Sequence, residues 1–152
     1  MEKSIFSILV ANHYGVLTKV AGVFGRRSCN IQSLTVCATK DPMFSRITVV
    51  AEDSEETIRQ VYNQTSKLED VREITLLPAG GYYERTLALL RLRPEAKLPT
   101  DLPEVLRTIE CTCNGVTVLE VVGSTETVDT LINRLGDDVI DLSLSGATAL
   151  PT

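Results

Sequence analysis

Residues Ile8–Val36 read ILVANHYGVLTKVAGVFGRRSCNIQSLTV, and the interpretation of this stretch decides the fold. The apolar strand ILVA stops at Asn12, Gly15 opens an amphipathic helix, and Asn30 starts a second strand. In this reading two asparagines and a helix start meet at one end of a sheet. The first N–H groups of a helix lack intrahelical acceptors and carry partial positive charge, so a helix start favours a carboxylate. Asparagine offers both a donor and an acceptor. Together they predict a site for a free amino acid, with its carboxylate on the helix start and its ammonium on side-chain and backbone oxygens. Asn-x-x-Gly between strand and helix is also ordinary turn chemistry, although a turn alone does not call for a second asparagine. Both readings stay open on this stretch alone.

Working outward, Val16, Leu17, Val20, Ala21, Val23 and Phe24 recur at helical spacing, while Lys19, Arg26 and Arg27 fall on the polar side. Gly22 and Gly25 lie in or at the end of this helix and predict close packing on a neighbour rather than a phosphate loop. Ile5–Ala11 is nearly all apolar and suits an interior strand. Ile31–Thr39 alternates, Asp41-Pro42 marks a turn, and Arg46–Glu52 alternates again, which predicts a hairpin. Asp53 with Glu56 predicts a capping box for a helix carrying Ile58, Val61, Tyr62, Thr65 and Leu68 on one face, before a strand over Val71–Leu77. The order is βαββαβ, the ferredoxin-like split motif.

Pro78-Ala79-Gly80-Gly81 breaks the chain by composition, and the pattern then repeats. Tyr83–Leu92 predicts a strand; Asp101 with Glu104 predicts a capped helix with Leu102, Val105, Leu106 and Ile109 on its face. A middle strand near Glu110–Asn114 follows, then a strand over Val116–Val122, a Ser124-capped helix with Val128, Leu131, Ile132 and Leu135, and a strand over Val139–Leu144. The expected fold is therefore α+β, with two ferredoxin-like units on antiparallel sheets, over residues 1–79 and 82–152. Units of about 75 residues bury little surface alone, which predicts dimerisation or docking on a partner.

Composition excludes several classes. The net charge of −5 lies in the second half: residues 1–80 hold nine basic and nine acidic residues, residues 81–152 hold six and eleven. A basic footprint for nucleic acid is absent from both halves. No apolar run approaches the roughly 18 residues of a membrane span, and the N-terminal segment reads as a first strand rather than a signal peptide. Cysteines at 29, 37, 111 and 113 match neither a disulfide framework nor a zinc pattern, so a reduced, cytoplasmic setting is expected. Cys111 and Cys113 read as small strand residues rather than a metal half-site, and Asp137-Asp138 as a solvated turn. His13, the single histidine, reads as a surface group; with no orienting partner in view it supports no nucleophile–base scheme. A ferredoxin-like phosphatase needs an arginine in the first strand–helix loop, and Asn12–Gly15 has none. An RNA-recognition sheet needs exposed aromatics, and Ile31–Thr39 has none.

Asn12-His13-Tyr14-Gly15-Val16-Leu17 followed by Asn30-Ile31-Gln32-Ser33-Leu34-Thr35-Val36 resembles the ACT domain of the regulatory small subunit of acetohydroxyacid synthase, or acetolactate synthase. The similarity continues through Asp41-Pro42-Met43-Phe44-Ser45-Arg46, Lys67-Leu68-Glu69-Asp70-Val71 and Glu84-Arg85-Thr86-Leu87-Ala88-Leu89. It is strong over residues 4–93 and weak afterwards. The resemblance implies that the first unit pairs with its copy in a second subunit, and that valine, leucine or isoleucine binds at the interface and inhibits the holoenzyme. It implies that Asn12 and the N–H groups of Gly15, Val16 and Leu17 hold the effector from one subunit, and that Asn30 and Ile31 reach it from the other. The second unit would help to activate a catalytic large subunit carrying thiamine diphosphate, magnesium and FAD, while this chain binds no cofactor or metal and catalyses nothing. The rival within the same resemblance is an amino-acid-sensing ACT module that serves another biosynthetic enzyme or a transcription regulator. The chain departs from the family where Ser28-Cys29 replaces a glycine and an aromatic before the second asparagine, and where His13-Tyr14 replaces smaller or acidic residues.

Overall fold

The computed structural model describes residues 2–103 and 107–152. Six elements come first: β1 (Glu2–Ala11), α1 (Val16–Arg26), β2 (Ile31–Ala38), β3 (Phe44–Asp53), α2 (Glu55–Thr65) and β4 (Val71–Leu77). They are followed by β5 (Tyr82–Leu92), β6 (Arg107–Cys113), β7 (Val116–Gly123), α3 (Thr125–Leu135), β8 (Val139–Leu144) and β9 (Thr148–Pro151). Two compact units result, one of residues 1–83 with 149–152 and one of residues 84–148. None of the described helices is long and apolar enough to cross a membrane.

The first sheet has the order β2-β3-β1-β4 with antiparallel neighbours throughout. β1 and β2 both run against β3, so they are parallel to one another with β3 between them. The helical spacing in α1 buries Val16, Val20, Val23 and Phe24 against Phe6, Ile8 and Val10 of β1 and Ile47, Val49 and Ala51 of β3. Ile58 and Val61 of α2 complete this core, and Phe24 meets Phe6 edge to face at a centroid distance of 5.3 Å. Each such side chain stabilises the fold by about 1.5–3 kcal/mol on full burial.

Local chemistry differs from expectation at two places in this unit. The cap of α2 is Ser54, whose Oγ accepts from the N–H of Thr57 at 3.2 Å, not Asp53. Pairing of β3 with β1 extends to Asp53 opposite Glu2, so Asp53 belongs to the strand and the helix starts one residue later. Gly22 and Gly25 do not mark a close approach within the chain. A Cβ on Gly25 would meet nothing within 4 Å, and one on Gly22 only the guanidinium of Arg26 at 3.5 Å.

Ser28 carries the left-handed turn that ends α1, with φ of 52°. Its N–H bonds to Gly25 O at 3.0 Å and that of Cys29 to Phe24 O at 3.0 Å. Glycine is the favoured residue at such a position because it lacks the Cβ that strains it. Ser28→Gly is therefore expected to raise stability by about 1 kcal/mol, read as a higher chemical-denaturation midpoint at unchanged slope. A lower midpoint would contradict the strain.

The second sheet has the order β6-β7-β5-β8, with β9 also paired to β5. Its core gathers Ala88, Leu90, Leu119, Val121, Val128, Leu131 and Leu135. Ser124 caps α3 as expected, and the Glu84 carboxylate adds hydrogen bonds to the N–H of Thr125 at 3.1 Å and its hydroxyl at 2.9 Å. Of the helix expected from Asp101, Glu104, Val105 and Leu106 lie outside the described residues. The Asp101 carboxylate pairs with Arg134 at 2.7 Å. Ile109 sits in β6, 55% exposed, and not on a helix face. Strand wins because Arg-Thr-Ile-Glu-Cys-Thr-Cys alternates and is closed onto β7 by Asn114-Gly115, with φ of 52° and 76°. That pair of positive φ values is what a two-residue hairpin turn demands, and Asn-Gly supplies it.

Candidate functional site

At the end of β1 the chain leaves the sheet through Asn12. Its backbone N–H donates to Met43 O at 2.8 Å and its Nδ2 to Pro42 O at 2.9 Å. The Asn12 side chain thus uses a donor on the β2–β3 turn, and its Oδ1 accepts nothing from the described residues. The turn is stiff: Asp41 Oδ1 accepts from Met43 N at 2.9 Å, Asp41 O from Phe44 N at 3.1 Å, and Thr39 Oγ1 donates to Asp41 O at 2.8 Å. Asp-Pro-x-x and Asn12 are therefore one structural unit, although 30 residues separate Asn12 from Pro42.

Gly15 follows at φ 81°, ψ −10°, directly before α1. The first helical bond runs from Lys19 N to Gly15 O at 3.1 Å. No side chain caps this helix and its first turn holds no acidic residue. The other two helices differ: Ser54 and Ser124 cap them, with Glu55 and Glu56 or Glu126 in the first turn. The N-terminal N–H groups of α1, including those of Val16 and Leu17, keep their partial positive charge without a capping side chain or an acidic residue in the first turn, four residues on from Asn12. An uncapped start next to an asparagine oxygen can receive the two charged ends of an amino acid.

The loop is held on its other side by Asp70, from the turn before β4. Asp70 Oδ1 lies 2.8 Å from His13 Nε2, and Oδ2 lies 2.7 Å from Lys19 Nζ. Ala11 N donates to Asp70 O at 2.9 Å, so backbone and side chain both grip the loop. The Lys19 hydrogen bond holds the Asp70 carboxyl below its ordinary range against the opposing effect of burial, with smaller help from His13. The same bond raises the Lys19 ammonium above its ordinary value. For both groups the charged form is the bonded one. The Asp70 contribution is present above the ordinary carboxylate range and lost as acid protonates it; the Lys19 contribution is lost only in strong base. His13 is a surface group, as expected, with its side chain 53% exposed, and it is paired with Asp70. Its partner Asp70 belongs to the Lys67-Leu68-Glu69-Asp70-Val71 motif, a signal visible in the sequence but not linked there to the loop.

The structure places Asn12, Gly15, Val16 and Leu17 together and puts Asn30 and Ile31 elsewhere. Ile31 pairs with Ala51, which also faces Ser4 near the start of β1, whereas Ala11 and Ala38 face Phe44 and Ser45 at the other end of β3. The expectation that both asparagines meet at one end of the sheet within a chain is thus overturned. A crossover between parallel strands brings the start of β2 level with the start of β1, not with its end. Cys29, Cys37 and Cys111 are free thiols, and no group of three metal-ligating side chains is found among the described residues.

This βαββαβ unit, with its open helix start beside a polar strand-end loop, matches an ACT domain. The sequence model of the AHAS small subunit-like ACT domain matches residues 6–73. The chain is 32% identical over 158 residues to the acetolactate synthase isozyme 3 small subunit of Salmonella typhimurium, covering 97% of this chain and 94% of that one. It is 30% identical over 147 residues to the acetolactate synthase small subunit of Haemophilus influenzae, covering 93% and 90%. The crystal structure of the acetolactate synthase small subunit from Thermotoga maritima superimposes with a TM-score of 0.82 at 28% identity, over 100% of this chain and 98% of that one. The chain belongs to the acetolactate synthase small-subunit family. Membership makes it a regulatory rather than a catalytic subunit.

Proposed function

We propose that this chain activates a separate catalytic subunit of acetohydroxyacid synthase in the cytoplasm and makes the assembly sensitive to branched-chain amino acids. The observation that carries this reading is the uncapped start of α1 beside Asn12. The effector's carboxylate sits on the N–H groups of Gly15, Val16 and Leu17, and its ammonium on Asn12 Oδ1. Thiamine diphosphate, magnesium and FAD belong to the catalytic subunit.

The effector site is completed by a second copy of the chain. β2 is an edge strand whose sequence, IQSLTVCA, has no charge and no proline, and Val36 on it is 43% exposed. Natural edges are normally protected by such residues, and an unprotected one templates pairing. A two-fold axis beside β2 sets it against its own copy running the other way. The start of the partner strand then lies beside the end of β2, at the end of the sheet where the Asn12 loop stands. Asn30 and Ile31, remote within one chain, reach the effector from the partner subunit. The pairing thus supplies what the single chain separates.

The purified chain is expected to form no acetolactate from pyruvate, to raise the rate of its cognate catalytic subunit, and to lower that rate again when L-valine is added. Titration of the chain into the catalytic subunit, with acetolactate assayed, checks all three. Turnover by the chain alone, or no change in the partner's rate, would contradict the proposal.

A further inference from the structure

Both ring nitrogens of His13 face oxygens that can only accept. Nε2 lies 2.8 Å from Asp70 Oδ1, and Nδ1 lies 3.1 Å from the carbonyl oxygen of Tyr14. Both contacts are hydrogen bonds only when the ring carries two protons; a neutral ring turns a lone pair toward one of the oxygens. Asp70 also binds Lys19, on the first turns of α1, at 2.7 Å. The charged groups around the ring are Asp70, its neighbour Glu69, which acts on Lys19, and Lys19 itself.

We propose that Asp70 is a positioning residue of the effector loop, acting through His13 as the imidazolium, so that binding of the amino acid at the start of α1 takes up a proton. The inference rests on the effector reading given above and assigns it a regulation of its own. His13 stands between Asn12 and Gly15, the two ends of the loop. Asn12 is fixed to the β2–β3 turn on one side, and His13 fixes the loop to Asp70 on the other. Releasing His13 leaves the loop anchored on one side only, so part of the binding energy is spent on ordering it. Charge acts in the same direction. His13, Lys19 and Asp70 sum to +1 with the imidazolium and to zero with the neutral ring. An incoming carboxylate therefore favours the protonated loop on both counts.

The test is calorimetric titration of the full chain with L-valine, L-leucine and L-isoleucine from about pH 6 to about pH 8.5, in buffers of different ionisation heat. In the wild type, affinity should fall about three- to tenfold as pH rises across this range, with net proton uptake on binding. His13→Gln should show a flat profile near the weak, high-pH limit with proton uptake lost, and Asp70→Asn a smaller pH dependence and a smaller proton uptake than the wild type. Thermal melts confirm that each variant is folded, and His13→Gln, on an exposed loop, carries the test should Asp70→Asn unfold. As the chain has one histidine, nitrogen-15 shifts of its ring report the two-proton form directly. A flat wild-type profile overturns the inference. So does an Asp70→Asn variant that is weaker by the same factor at every pH, which is what a merely structural carboxylate would give. Absence of heat in the wild type with all three amino acids overturns the effector reading and this inference with it.

Discussion

Gly15→Asp is expected to lower affinity for L-valine by at least about a hundredfold and to abolish feedback inhibition. Gly15 stands where the loop becomes helix, and its N–H is among the donors assigned to the effector's carboxylate. A carboxylate side chain there faces the incoming carboxylate at close range, where like charges cost several kcal/mol. The fold should survive at some expense. At φ 81° any Cβ is strained, by about 1–2 kcal/mol, although aspartate and asparagine visit this region more readily than other residues. Apart from its own chain neighbours, no atom lies within 4 Å of the added Cβ, so strain is not compounded by a clash. The side chain is not expected to cap α1 itself, since capping residues reach the helix from extended backbone. Gly15→Asn is the matched control: the same strain and almost the same volume, but no charge. It should lose about tenfold or less, and the gap between the two variants measures the electrostatic part. Activation of the catalytic subunit should persist in both, because in this reading it draws on the second unit. Calorimetry with L-valine and an inhibition assay on the assembled enzyme check these outcomes. Wild-type affinity in Gly15→Asp would place the effector site elsewhere.

The elements of the first unit were legible because its signals are local. Helical spacing from Val16 to Phe24, alternation in Ile31–Thr39 and the Asp41-Pro42 turn each specify their own element. What the sequence hid is long-range or conformational. Nothing local announces that Asn12 donates to Pro42, or that Asp70 returns to meet His13 and Lys19. The separation of Asn30 from Asn12 is a property of sheet order, which places β3 between the two parallel strands and fixes where each begins. The positive φ at Ser28 is likewise not announced by its residue type, since such a position favours glycine. In the second unit a local signal was present and outweighed. Asn114-Gly115 between alternating segments is a hairpin signature, but the apolar spacing of Leu102, Val105, Leu106 and Ile109 drew Ile109 into a helix.

The second large effect concerns the edge. Val36→Lys should shift the dimer toward monomer by at least about a hundredfold in dissociation constant, and remove effector binding although Asn12 and Gly15 are untouched. Val36 is 43% exposed in the single chain, so a flexible lysine there disturbs the monomer core little, by about 0.5 kcal/mol or less. Across a two-fold axis every substitution is made twice, and two ammonium groups are brought to one interface where the wild type has apolar contact. Unpaired charge buried in that way costs several kcal/mol, far more than the surface change in each monomer. In this reading, light scattering should give a monomer mass for the variant and a dimer mass for the wild type at the same concentration, and calorimetry no heat with L-valine for the variant. Mixing two singly defective chains separates a shared site from one that only needs a dimer for stability. With Asn12→Ala on one chain and Asn30→Ala on the other, one of the two sites in a mixed dimer carries both defects and the other carries none. The mixture should therefore recover tight binding that neither homodimer shows, at up to half the sites of each mixed dimer. A Val36→Lys monomer that binds L-valine as well as the wild type, or a mixture that recovers nothing, would mean that Asn30 does not serve the loop of its partner.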